Sequence, residues 1–178
     1  EFLYSKASHD YVWYFADDDI IFENSIKEIF VNLNSYDPSV LLYSFQQPQG
    51  SSKKTFEFIE TIKYLKQKKD IINAITKFPK LSIYIFRKIN DINLNQLNFE
   101  CNSKDYFFVY LCLTVNELSF NKSVLVINKF LASCDENYNQ VRFTARSYLN
   151  YYKIFFHPYI FQDYPEMYIN HKKQCYVE

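Results

Sequence analysis

One glycine in 178 residues is the first fact of this sequence. The phosphate-binding loops of P-loop and dinucleotide-binding proteins need several glycines for tight turns and close backbone approach. Gly50 alone cannot build one, so both classes are excluded. Net charge is also lacking, with 20 basic against 20 acidic side chains, and the bulk balance offers nothing to a nucleic acid. Cys101, Cys112, Cys134 and Cys175 have no C-x-x-C spacing and suggest no zinc site. Scattered, and with no secretory leader in view, they read as reduced thiols of a cytoplasmic protein. No apolar run is long enough to span a bilayer; the longest, Tyr106 to Val115, has ten residues. His9, His157 and His171 are too dispersed to form a metal set and read as structural. Met167 is the sole methionine, so the sequence reads as a fragment or as a product trimmed at its N-terminus.

What remains is a globular chain, 48% hydrophobic and 20% aromatic. The abundance of Asn, Ile, Lys, Phe and Tyr fits a coding bias toward A and T, so the aromatics are not taken as a binding surface. Charge is unevenly placed. Residues 1–50 carry eight acidic and two basic groups, whereas residues 53–90 carry ten basic and three acidic. Such runs are ordinarily solvated faces, but an acidic stretch followed by a basic one also suits a metal and a phosphate.

Hydrophobic patterning predicts an α/β fold. Residues 11–16 form a short aromatic run of the kind buried in a parallel sheet, stopped by Asp17, Asp18 and Asp19. Ser25 and Glu28 form an S-x-x-E capping box, and Ile26, Ile29, Phe30 and Leu33 trace one helical face. Residues 40–45 read as a second strand, adjacent and parallel to the first across the 25–34 helix. A loop follows over 46–54. Residues 55–76 read as helix, 81–87 as strand, 105–118 as buried helix, 124–127 as strand and 140–156 as helix. A single domain over 1–157 and an irregular tail over 158–178 are expected.

Three adjacent carboxylates at the carboxyl end of a buried strand lie where open α/β sheets place their ligands. They repel one another unless a cation neutralises part of the charge, and oxygen-only donors favour Mg²⁺ or Mn²⁺. The plain alternative is a helix-start turn whose acids favour the helix dipole. A D-x-D-x-T/V phosphatase would need Thr or Val where Ile21 stands.

The segment Tyr11-Val-Trp-Tyr-Phe-Ala-Asp-Asp-Asp-Ile-Ile-Phe-Glu-Asn-Ser-Ile resembles the Asp-x-Asp region of family 2 glycosyltransferases, specifically their abequosyltransferase-like branch. Leu81-Ser-Ile-Tyr-Ile-Phe-Arg-Lys is similar to the family's strand after its acceptor loop. The resemblance implies a partial GT-A, Rossmann-like fold with a helical C-terminal part. It implies sugar transfer from a nucleotide-diphosphate donor to a glycan or lipid-linked glycan of a bacterial surface polysaccharide. Asp17 and Asp19 would then hold the metal, and Asp17 and Asp18 would face the nucleotide diphosphate. Asp105 would be the catalytic base, with Glu100 the next choice. A lipid-linked acceptor would bring the protein to the inner face of the membrane. The family's nucleobase-binding strands should precede residue 1. A non-catalytic, truncated glycosyltransferase serving as an interaction module is therefore the competing expectation.

Overall fold

A computed structural model describes residues 6–56, 58–77, 81–88, 123–134 and 165–166. Among these described residues are six strands: β1 (Tyr11–Trp13), β2 (Asp19–Ile21), β3 (Val40–Gln46), β4 (Ile62–Leu65), β5 (Tyr84–Arg87) and β6 (Val124–Cys134). Among the described residues, helices α1 (Ser25–Tyr36) and α2 (Lys68–Lys77) accompany them, with a 3₁₀ turn at Leu81–Ile83. The fold is mixed α/β. The curled sheet of the described residues runs in the order β1-β5-β3-β6-β2, with β4 also pairing to β6.

β3 and β6 pair in parallel at the centre. Val40, Leu41, Leu42 and Tyr43 are all fully buried, as are Val124, Leu125, Val126 and Ile127. Continuous apolar runs of this kind belong to strands covered on both faces. The remaining pairings are antiparallel. Because β5 runs against both β1 and β3, those two strands share a direction. They were expected to be neighbours; β5 lies between them. A later segment has inserted into the crossover, which short-range patterning does not reveal.

The β3–β6 register slips between Tyr43 and Phe45, where β6 spends more residues than its partner. A bulge of this kind bends its strand. Below it β6 pairs with β4, and above it with β2. Buried Asn128 sits in the bulge. Its Oδ1 accepts from Ser44 Oγ at 2.8 Å and its Nδ2 donates to the Phe58 carbonyl at 2.7 Å. Its backbone N–H donates to the Thr61 carbonyl, also at 2.7 Å.

Further sequence expectations require correction. Residues 55–76 are not one helix: Ile62–Leu65 is a strand, and only Lys68–Lys77 is helical. The open edge of β6 recruits 62–65, overriding local helical spacing. The capping box is not formed. Ser25 is the first helical residue, Asn24 precedes it at φ 66°, and Glu28 pairs with Lys129 on the β6 bulge. The helix consequently buries Ser25, Ile29, Asn32 and Leu33, leaving Ile26 and Phe30 more than 60% exposed. At its other end Asp37, at φ 46°, donates its N–H to the Leu33 carbonyl and stops the helix. The helices expected at 105–118 and 140–156, and nearly all of the tail, lie outside the described residues.

Candidate functional site

β1 and β2 occupy opposite ends of the strand order, so residues 14–18 carry the chain across the carboxyl ends of the central strands. This crossing explains why the aromatic strand stops at Trp13 rather than Ala16. At its far side the Asp19 N–H donates to the Ala16 carbonyl at 3.2 Å. Asp17 and Asp18 are therefore the two corner residues of a tight turn, with Asp17 exposed and Asp18 partly so. Asp19 is half-buried and opens β2, paired with Cys134.

Ser82, which is fully buried, ties this turn to the sheet. Its hydroxyl donates to Asp19 Oδ2 and accepts from the Ala16 N–H at 3.2 Å. Its carbonyl accepts from Trp13 Nε1 at 2.7 Å and from the Tyr43 hydroxyl at 2.5 Å. Burial, and secondly the Asp19 charge, push the Tyr43 phenol pKa well above its ordinary value. The phenol is therefore a neutral donor at physiological pH. Ser82 was missed in the sequence, although one signal was present. It is the lone polar residue of Leu81-Ser-Ile-Tyr-Ile-Phe, and a polar side chain in a buried run needs partners.

The loop after β3 begins at the same edge. Gln46 and Asp19 flank the end of β6 from its two sides, paired with Ser133 and Cys134 respectively. The loop closes on itself: Thr55 Oγ1 accepts from the Phe45 N–H at 3.0 Å, and Gln46 Nε2 donates to the Ser51 carbonyl at 2.9 Å. Gly50, at φ 81°, occupies the left-handed corner of a turn closed by Ser51 N–H donating to the Pro48 carbonyl. The loop expected over 46–54 is thus a compact one, tied to the end of β3. Lys53 and Lys54 project from it, exposed.

Among the described residues no three His, Cys, Asp or Glu side chains gather into a ligand set. The turn offers carboxylate oxygens only. That chemistry suits a hard divalent ion held by one or two carboxylates and completed by water and phosphate oxygens, and does not suit a preformed cage. Asp105 and Glu100 lie outside the described residues. Also among the described residues, no helix is long and apolar enough to cross a membrane.

No protein-family model matches the chain, and no curated protein matches it. The structure is similar to that of S. aureus TarS residues 1–349 in complex with UDP-GlcNAc, with a TM-score of 0.58 at 16% identity. The match covers 85% of this chain and 43% of the TarS chain, so the chain spans less than half of its neighbour's length. The likeness is to a GT-A-type glycosyltransferase fold in general and does not extend to the abequosyltransferase-like branch. The chain has a glycosyltransferase fold, with the Asp17-Asp18-Asp19 turn laid across the carboxyl edge of its sheet.

Proposed function

We propose that this chain is the acceptor-side part of a metal-dependent glycosyltransferase that passes sugar from a nucleotide diphosphate to a glycan. The observation that carries this reading is the aspartate turn at the carboxyl edge of a glycosyltransferase fold. The presence of UDP-GlcNAc in the TarS complex supports a nucleotide-sugar as donor. Asp17 and Asp19 would hold Mg²⁺ or Mn²⁺, with Asp18 beside the diphosphate. When bound, the ion supplies charge neutralisation to the departing diphosphate. Asp105 would accept the proton of the acceptor hydroxyl as its oxygen attacks the anomeric carbon. The 46–54 loop would border the acceptor, presenting Lys53 and Lys54 to acidic groups. A bacterial surface polysaccharide or its lipid-linked precursor, met at the inner membrane face, is the acceptor class proposed.

The test is Mn²⁺ binding, read by water proton relaxation. Wild type should bind weakly, because two carboxylates and several waters hold an ion poorly. Asp19→Asn nearly preserves shape while removing the charge, and should abolish the signal without unfolding the chain. Equal signals from both proteins would refute the assignment of the metal to this turn.

A further inference from the structure

The geometry points to Ser82 as the positioning residue of the aspartate turn, its hydroxyl setting the orientation of the Asp19 carboxylate toward a bound cation. The inference rests on the metal reading above and extends it to a residue far away in sequence. Four contacts converge on this one side chain and its carbonyl. Two of them close a ring. The Ser82 hydroxyl joins the Ala16 N–H to the Asp19 carboxylate, while Asp19 N–H returns to the Ala16 carbonyl. Both ends of the turn are thereby clamped, and Asp17 and Asp18 ride on a corner that cannot splay. A half-buried carboxylate held by a donor on one oxygen has lost much of its rotational freedom before any ion arrives. Pre-organisation of this kind lowers the ordering cost of binding.

The two halves of the hub are separable. Trp13 and Tyr43 bond the Ser82 carbonyl, which is backbone and survives any side-chain replacement. Ser82→Ala removes only the hydroxyl, and with it the ring that holds Asp19. Tyr43→Phe removes a bond to the carbonyl and leaves that ring intact. Trp13 is the sole tryptophan and donates directly to Ser82, so its fluorescence reports whether the hub still stands.

The experiment is a Mn²⁺ titration of the whole chain by proton relaxation, in wild type, Asp19→Asn, Ser82→Ala and Tyr43→Phe, with Trp13 emission recorded throughout. Positioning predicts that Ser82→Ala weakens Mn²⁺ binding on the order of fivefold to tenfold while Trp13 emission stays native. Tyr43→Phe should stay within about twofold of wild type, although it is less stable. If Asp19→Asn loses the signal and folded Ser82→Ala keeps the wild-type affinity, the positioning role is overturned and the metal site stands. If Asp19→Asn binds as wild type does, the metal site falls and the positioning role with it. Should Ser82→Ala fail to fold, Ser82→Cys is read in its place. A thiol is a weaker donor of similar shape and should give an intermediate loss; wild-type affinity there would likewise overturn the inference.

Discussion

Tyr43 shows how much a single buried phenol contributes in this core. Its hydroxyl donates to the Ser82 carbonyl at 2.5 Å, and its ring meets Trp13 edge-on at 6.0 Å. Tyr43→Phe keeps the ring and loses about 1 kcal/mol at neutral pH, measurable by urea denaturation. Its pH behaviour follows from the direction of its shift. Burial raises the folded-state pKa above the ordinary 10.0. The folded chain therefore retains a proton that the unfolded chain releases. Stability from this group is complete below pH 10.0 and is lost as pH rises from there toward the folded value. Tyr84, shifted the same way by burial alone, behaves alike. Alkaline unfolding should accordingly be shallower in Tyr43→Phe than in wild type, and not abolished.

Among the elements, β6 decides the architecture because it serves three partners. Its bulge divides the strand between β4 below and β2 above, and the β2 pairing fixes the position of Asp19. Asn128 makes the bulge tolerable by absorbing polar groups that the kink would otherwise strand in the core. Asn128→Ala deprives the Ser44 hydroxyl and the Phe58 carbonyl of partners at once. Its expected cost is about 2–4 kcal/mol at an unchanged urea m-value. Ser44→Ala added to it should cost little more, since one partner of that bond is already gone. Full additivity in the double-mutant cycle would show that the bond does not operate as described. The S-x-x-E pattern of α1 was legible in the sequence and misleading for the same reason. Glu28 finds Lys129 across the fold, and a tertiary ion pair displaces a local cap.

At the scale of the molecule, charge is segregated around one edge of the sheet. The acidic turn and the lysine-bearing loop both issue from the carboxyl ends of strands, on either side of the end of β6. Reversing Lys53 and Lys54 to Glu should weaken binding of a phosphate-bearing glycan on the order of tenfold at low salt, with the difference shrinking as salt screens it. Both side chains are exposed, so folding should be unaffected. Isothermal titration at two ionic strengths measures this, and an unchanged affinity would overturn the proposed acceptor-side role of the loop.

The sequence by itself determined what depends on neighbours along the chain. The aromatic run into three aspartates, the apolar runs of β3, β5 and β6, the helix after Asn24 and the class of fold are all local pattern and composition. With a single glycine, the chain could not build a glycine-rich phosphate loop, and that exclusion needed no coordinates. Tertiary structure decided everything that depends on which strand edge lies open. β5 enters between β1 and β3 because their backbone groups there need partners, and residues 62–65 become strand because β6 offers an edge. Ser82 reaches Asp19 across 63 positions of sequence for the same reason. Its 3₁₀ turn leads into β5, and only the position of β5 in the sheet brings that hydroxyl beneath the turn. Hydrogen-bond valence is short-ranged in space and indifferent to sequence distance, so the aspartate turn could be read early while the serine that ties it to the sheet could not.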